Sequence, residues 1–210
     1  MRTIKQPGVH ELEIRRSRFV CALARVTTEP QAQEFIAGRR RALHDASHHC
    51  TAYVLGEHGD ITRSNDDGEP GGTAGRPMLE VLVRRELTGT VAVVSRHFGG
   101  IKLGAGGLVR AYGQAVAETV DLVGVVERRP VVTVTVISDH AHAGRLTRDL
   151  HASPYTLTGS RYGGDAEIDV VVPAGELEAF DAWVAAAAGG RARTRRGASG
   201  HVEVPADHPE

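Results

Sequence analysis

Two glycine-rich stretches hold most of the residues in this 210-residue chain whose types and spacing could do chemistry. The later one reads Arg96-His97-Phe98-Gly99-Gly100-Ile101-Lys102-Leu103-Gly104-Ala105-Gly106-Gly107. It follows the apolar run Val91–Val94, and Leu108, Ala111, Tyr112, Ala115, Thr119 and Val123 come after it at helical spacing. The order strand, glycine loop, helix lets backbone N–H groups approach a ligand, with the unpaired donors and positive dipole end of the helix behind them. Arg96, Gly99, Gly100, Lys102, Gly104, Gly106, Gly107 and Arg110 are therefore the candidate anion- or nucleic-acid-binding residues. Phosphate, a nucleic-acid backbone or an acidic side chain would suit them. The spacing is neither a Walker loop nor a dinucleotide fingerprint. The alternative, that the glycines only permit tight strand-to-helix packing, stays open here.

The earlier stretch, Ser64 to Pro77, carries Asp66, Asp67 and Glu69, with Gly68, Gly72, Thr73 and Arg76 completing a candidate signature loop. Clustered carboxylates can gather a divalent cation or act as a general acid and base if burial separates their pKa values. Acidic turns more often bond their own backbone amides, and the spacing departs from an EF-hand, so no metal site is expected. Cys50, preceded by His44, His48 and His49, invites a Cys/His reading, but a lone Cys entering an apolar strand is usually a small buried hydrophobe. His140, His142 and His151 lack the HExxH order and are expected at the surface. Arg193, Arg195 and Arg196 form a small basic edge that a solvated strand end explains equally well.

The elements that must position these residues follow from pattern. Residues 10–26 predict two strands joined near Arg16-Ser17, and Ala32, Phe35, Ile36 and Leu43 predict a helix with Arg39, Arg40 and Arg41 on its wet side. Cys50–Leu55 reads as a strand, and residues 60–75 as an ordered turn system without a regular element. Thr73 is the expected cap of a helix containing Met78, Leu79, Val81, Leu82 and Leu87, with Pro77 in its first turn. After a charged reset at Glu127-Arg128-Arg129-Pro130, the pattern is strand 131–138, helix 140–151, strands 155–161 and 166–172, helix 175–188, and a last strand around 191–204. That is βαββαβ, the ferredoxin-like order. An α+β chain of two domains, 1–129 and 130–205, is predicted, with a frayed tail over 206–210.

Lys+Arg 25 against Asp+Glu 26 lacks the basic excess that announces a non-specific nucleic-acid binder, leaving room for a local patch. Two cysteines, Cys21 and Cys50, imply no disulfide framework and fit a reducing compartment. The N-terminus lacks an apolar signal region, and no segment approaches the roughly 20 apolar residues that span a bilayer. A cytoplasmic location without membrane contact is expected.

The two stretches together, Asp66 to Pro77 and then Arg96 to Tyr112, resemble the signature of the YigZ/IMPACT family, and His49-Cys50-Thr51-Ala52-Tyr53 resembles a shorter third segment. Asn65 stands where the family commonly has serine and His97 where it commonly has tyrosine. The resemblance implies a ribosomal protein S5 domain 2-like N-terminal fold and a C-terminal domain similar to one in elongation factor G. It further implies translation-associated regulation, with RNA, the ribosome or a translation-related protein as partner, and it brings no established reaction and no cofactor. Eukaryotic relatives carry an additional N-terminal partner-binding domain that has no counterpart here. Three functions follow as expectations. The first is a non-enzymatic protein presenting the glycine loops to an anionic partner. The second is a kinase-like phosphate- or nucleotide-binding enzyme using Asp66, Asp67 or Glu69 as base or magnesium ligand. The third is a protein-interaction module whose loops are purely structural.

Overall fold

The apolar run before the glycine loop becomes β6 (Thr90–His97), the central strand of the N-terminal sheet. Its neighbours are β3 (Ser17–Arg25) and β4 (His48–Leu55), flanked by β2 (Gly8–Ile14) and β5 (Ile61–Asn65), in the order β2-β3-β6-β4-β5. Every pairing is antiparallel. Helix α1 (Glu29–Ala42) covers one face, where Ala32 and Ile36 pack with Tyr53, Leu55, Val91 and Val93. Helices α2 (Gly75–Arg84) and α3 (Ala105–Val123) cover the other, where Met78, Leu82, Tyr112 and Val116 meet Cys21, Cys50, Ala92 and Val94. With both faces covered, alternation has no solvent side to mark, which is why β3, β4 and β6 are apolar almost throughout.

The structure, a computed structural model, describes residues 1–206. The part of the predicted frayed tail from 207 onward lies outside them. The chain divides into two compact units, Met1–Glu127 with the segment from Val204, and Arg128–Glu203. The division falls within β7 (Val125–Ser138), whose start pairs with β1 (Arg2–Ile4). In the second unit α4 (His140–His151), β8 (Thr156–Tyr162), β9 (Ala166–Pro173), α5 (Leu177–Ala187) and β10 (Ala192–Pro205) complete the βαββαβ order. Strands run β10-β7-β9-β8 across the sheet. Leu146, Leu150, Phe180 and Val184 of the helices pack on Val134, Val136, Ile168 and Val170. The mixed α and β architecture expected from the sequence is the one present. No helix is long and apolar enough to cross a membrane among the described residues.

Three local expectations are corrected. Residues 61–65, expected as irregular turn, form β5; every one of them is exposed, so backbone pairing to β4 rather than side-chain burial makes the strand, and no apolar pattern betrays it. The strand expected from 131 begins at Val125, because Pro130 sits between the segment paired with β1 and the segment paired with β9 and interrupts neither. Thr73 does not cap α2: its hydroxyl donates to the Pro70 carbonyl at 2.6 Å.

Close backbone approach fixes Gly75, where a Cβ would stand 2.6 Å from the Asn65 nitrogen and force β5 away from α2. Gly113, inside α3, faces only ordinary contact, a Cβ there lying 3.9 Å from Val81 Cγ2. Gly75→Ala is expected to destabilise the chain by about 1–3 kcal/mol through overpacking. Gly113→Ala is expected to be stabilising by about 0.5–1 kcal/mol through helix propensity. Urea unfolding of both variants checks this, and equal effects would show that the approach at Gly75 does not constrain the loop.

Candidate functional site

The three clustered carboxylates point to three different tasks. Asp66 Oδ1 accepts the amides of Ala74 and Gly75 at 3.0 and 2.8 Å, and Oδ2 accepts that of Gly72 at 2.8 Å. It thereby caps α2 from outside, since Ala74 at the cap position has no side-chain acceptor. Burial works against its charge, yet the three amides outweigh burial and hold the carboxyl below its usual range. Asp67 bonds the His49 amide at 2.7 Å and the Arg40 guanidinium at 2.6 Å, fastening the loop to β4 and α1. Its own amide donates to Asn65 Oδ1 at 2.7 Å, an acceptor role that a serine hydroxyl oxygen would fill equally well.

Glu69 turns inward. Its side chain is 3% exposed, and Oε1 accepts from Arg96 Nη1 and from the Tyr112 hydroxyl, both at 2.7 Å. Arg96, expected to meet an external anion, is instead committed to this buried pair, with its side chain 6% exposed. Its Nη2 reaches Ser17 Oγ at 3.3 Å, while Nε is enclosed without an acceptor among the described residues. The rings of Phe19 and Phe98 lie 5.5 and 5.4 Å from the guanidinium carbon and supply the electron-rich faces that the missing acceptor does not. Gly99 is also drawn inward, its amide donating to Ser17 Oγ at 3.3 Å. A Cβ on Gly99 would fall 1.9 Å from the Arg16 carbonyl oxygen, so only glycine fits.

The remaining glycine-loop residues gather at the start of α3. Gly104 holds the cap position at φ 73° with no side-chain cap, and Leu108 is the first residue to donate back, to Gly104 O at 2.9 Å. The amides of Ala105, Gly106 and Gly107 precede that bond and are the free donors of the first turn. Lys102 and Arg110 are exposed beside them, Arg110 lying over Gly106, and Lys102 has no ion-pair partner among the described residues. Gly100 is exposed on the same loop. A cleft of about 490 Å³ opens here, with Glu69, Pro70, Phe98, Lys102, Leu103 and Leu108 along it and Gly104 and Ala105 at the helix start. Of the signature-loop residues, Glu69 alone reaches this cleft, and Arg76 pairs with Glu80 in α2 at 3.1 Å.

Sequence reasoning missed Phe98, Pro70 and Leu103 as cleft walls and Tyr112 as the partner of Glu69. The available signal was an aromatic and a leucine inside a glycine-rich loop, where packing gives them no obvious purpose; Phe98 is 49% exposed. The nucleophile candidates are quenched by burial. Cys50 donates its thiol to the Asp66 carbonyl at 3.0 Å, and burial, aided by the nearby carboxylates, pushes it up to about 12. Burial also raises Cys21 to about 12 and raises the Tyr112 phenol. It lowers His49, which bonds Ser95 Oγ at 2.9 Å.

Residues 15–120 match the Impact N-terminal domain, and residues 136–191 match a domain of unknown function, DUF1949. The chain belongs to the IMPACT family. It is 44% identical over 206 residues to the IMPACT family member YvyE of Bacillus subtilis, covering 98% of this chain and 95% of that one. To the IMPACT family member YigZ of Escherichia coli it is 34% identical over 175 residues, covering 82% and 86%. The crystal structure of a hypothetical protein shares the fold at a TM-score of 0.60 and 32% identity, covering 92% of this chain and 95% of that one. Family membership expected from the two motifs thus extends over nearly the whole chain.

Within this cluster, Arg96→Met leaves the Glu69 carboxylate buried without its countercharge and is expected to destabilise by about 3–5 kcal/mol. Tyr112→Phe removes one neutral donor and is expected to cost about 1–2 kcal/mol. Denaturant midpoints measure both, and an Arg96→Met loss below that of Tyr112→Phe would contradict the ranking. Asp66 gives a pH dependence: its folded pKa is lowered, so its contribution is complete above the unfolded value of about 4 and is lost as pH falls through the lower folded value. Asp66→Asn should flatten the stability curve below pH 4, and curves of the same shape for both proteins there would refute the capping role.

Proposed function

We propose that this IMPACT family chain is a non-enzymatic, translation-associated protein of the cytoplasm that holds single-stranded RNA in the cleft at the start of α3. One observation carries the reading: uncapped first-turn amides, Lys102 with no ion-pair partner among the described residues, and the exposed ring of Phe98 share one loop beside a largely apolar recess. A helix N-terminus with a neighbouring ammonium is suited to a phosphate, and an exposed aromatic is suited to a base. Duplex recognition would need a broad basic surface, which a net charge of -1 and the paired arginines disfavour. The family's place in translation, as the signature motifs imply it, agrees with an RNA or ribosomal partner.

The kinase-like reading has less support. Of the residues it would use as base or magnesium ligand, Asp66 and Asp67 are committed to backbone amides and to Arg40, and Glu69 is bonded to Arg96 and Tyr112.

Fluorescence anisotropy with a short single-stranded RNA at rising salt tests the proposal. Binding is expected to weaken with ionic strength, and Lys102→Ala is expected to weaken it about five-fold and to reduce the salt slope by about 0.7, the value of one phosphate contact to a single strand. Arg76→Ala, a residue outside the cleft, serves as the control. No binding at low salt, or equal binding by the Lys102→Ala and Arg76→Ala variants, would overturn the proposal.

A further inference from the structure

The cleft contains a group that a phosphate site alone does not use. Glu69 brings a carboxylate to a recess whose apolar walls are Pro70, Phe98, Leu103 and Leu108 and whose polar lining includes Ser47, His48 and Arg96, and its side chain is only 3% exposed. Both of its donors, Arg96 and Tyr112, converge on Oε1; no donor among the described residues reaches Oε2. A carboxylate oxygen without a donor, on a side chain almost wholly withdrawn from water and open only at a cleft, is suited to an N–H or O–H from a guest. Arg96 balances the charge of Glu69, so the pair adds no net negative charge to oppose a phosphate at the α3 amides.

We infer that the cleft selects guanine: the base lies against the apolar walls with its Watson–Crick edge toward Glu69 Oε2, while its phosphate meets Lys102 and the first-turn amides of α3. The inference rests on the RNA reading above and narrows it to one base. The chemistry decides which one. Guanine presents two adjacent donors, N1–H and the N2 amino group, with no acceptor between them. Adenine and cytosine place a ring-nitrogen acceptor beside their amino donor, and uracil flanks its single N–H with two carbonyls, so each sets a lone pair against the carboxylate. Edge contacts to unstacked bases are the usual means by which single strands are read. A cleft of about 490 Å³ is within the range that holds a nucleotide.

The test compares three fluorescent heptaribonucleotides on the full chain: oligoadenylate, the same strand with one central guanosine, and the same strand with N1-methylguanosine there. The guanosine strand is expected to bind about tenfold more tightly than the other two, the discrimination one good base-edge contact provides. Guanosine 5′-monophosphate should displace it more effectively than adenosine 5′-monophosphate. Because the base is altered, not the protein, the comparison survives any folding defect in a Glu69→Gln variant; where that variant melts cooperatively, it should bind the three strands alike. Equal, salt-sensitive binding of all three strands by the native chain overturns guanine selection and leaves the RNA reading standing. Absence of binding by every strand overturns both.

Discussion

The buried ion pair between Glu69 and Arg96 is the constraint on which the two glycine-rich loops depend. The residues belong to segments 27 positions apart, one following β5 and the other ending β6, and each would be a costly isolated charge in the interior. Removing two charges from water consumes much of what their attraction returns, so the pair is a weak source of net stability. What it enforces is coincidence: Glu69 is tolerable only where Arg96 and Tyr112 stand, which joins the earlier loop to β6 and α3 at one point. The aromatic faces of Phe19 and Phe98 confine the guanidinium further. Phe98 is thereby held at the mouth of the cleft, packed on one side and open on the other.

The same division of labour explains why the acidic cluster does not cancel the positive end of α3. Asp66 is held by the first-turn region of α2, and Asp67 by Arg40 and β4, so each carboxylate is turned to an internal donor set. Among the described residues, Lys102 and the α3 amides keep no such partner. Two helices that follow glycine-rich loops thus end up oppositely equipped. The start of α2 has an aspartate folded over it, and the start of α3 is left open.

Much of this architecture was legible in the sequence, for identifiable reasons. The continuous apolar runs of β4 and β6 and the spacing of Leu108, Ala111, Tyr112 and Ala115 are imposed by burial, and burial leaves a pattern. β5 left none because all of its side chains are exposed. The glycine loop was readable as a candidate site, yet the role of Arg96 was not. An arginine beside glycines looks alike whether its partner is an external phosphate or a glutamate distant in sequence; only the tertiary meeting with Glu69 decides. Tyr112 was hidden for a related reason: its place in the α3 core accounts fully for its apolar ring and says nothing of the hydroxyl.

The second unit handles charge in a different way, and this bears on where an anion would be held. Its arginines near the C-terminus looked like a basic edge in the sequence. In the fold, Arg193 pairs with Asp165 at 3.4 Å, Arg195 with Glu167 at 3.2 Å and Arg196 with Asp181 at 3.1 Å. Arg161 joins Glu167 at 3.0 Å and also pairs with Asp169, which in turn accepts from Thr135. Both Glu167 and Asp169 are held below their usual carboxylate range, first of all by the Arg161 hydrogen bonds. Cations neutralised at this range offer a polyanion little that water and salt do not already provide. An anionic guest would therefore gain most at the start of α3, where the donors are fixed by backbone geometry and no carboxylate among the described residues occupies them.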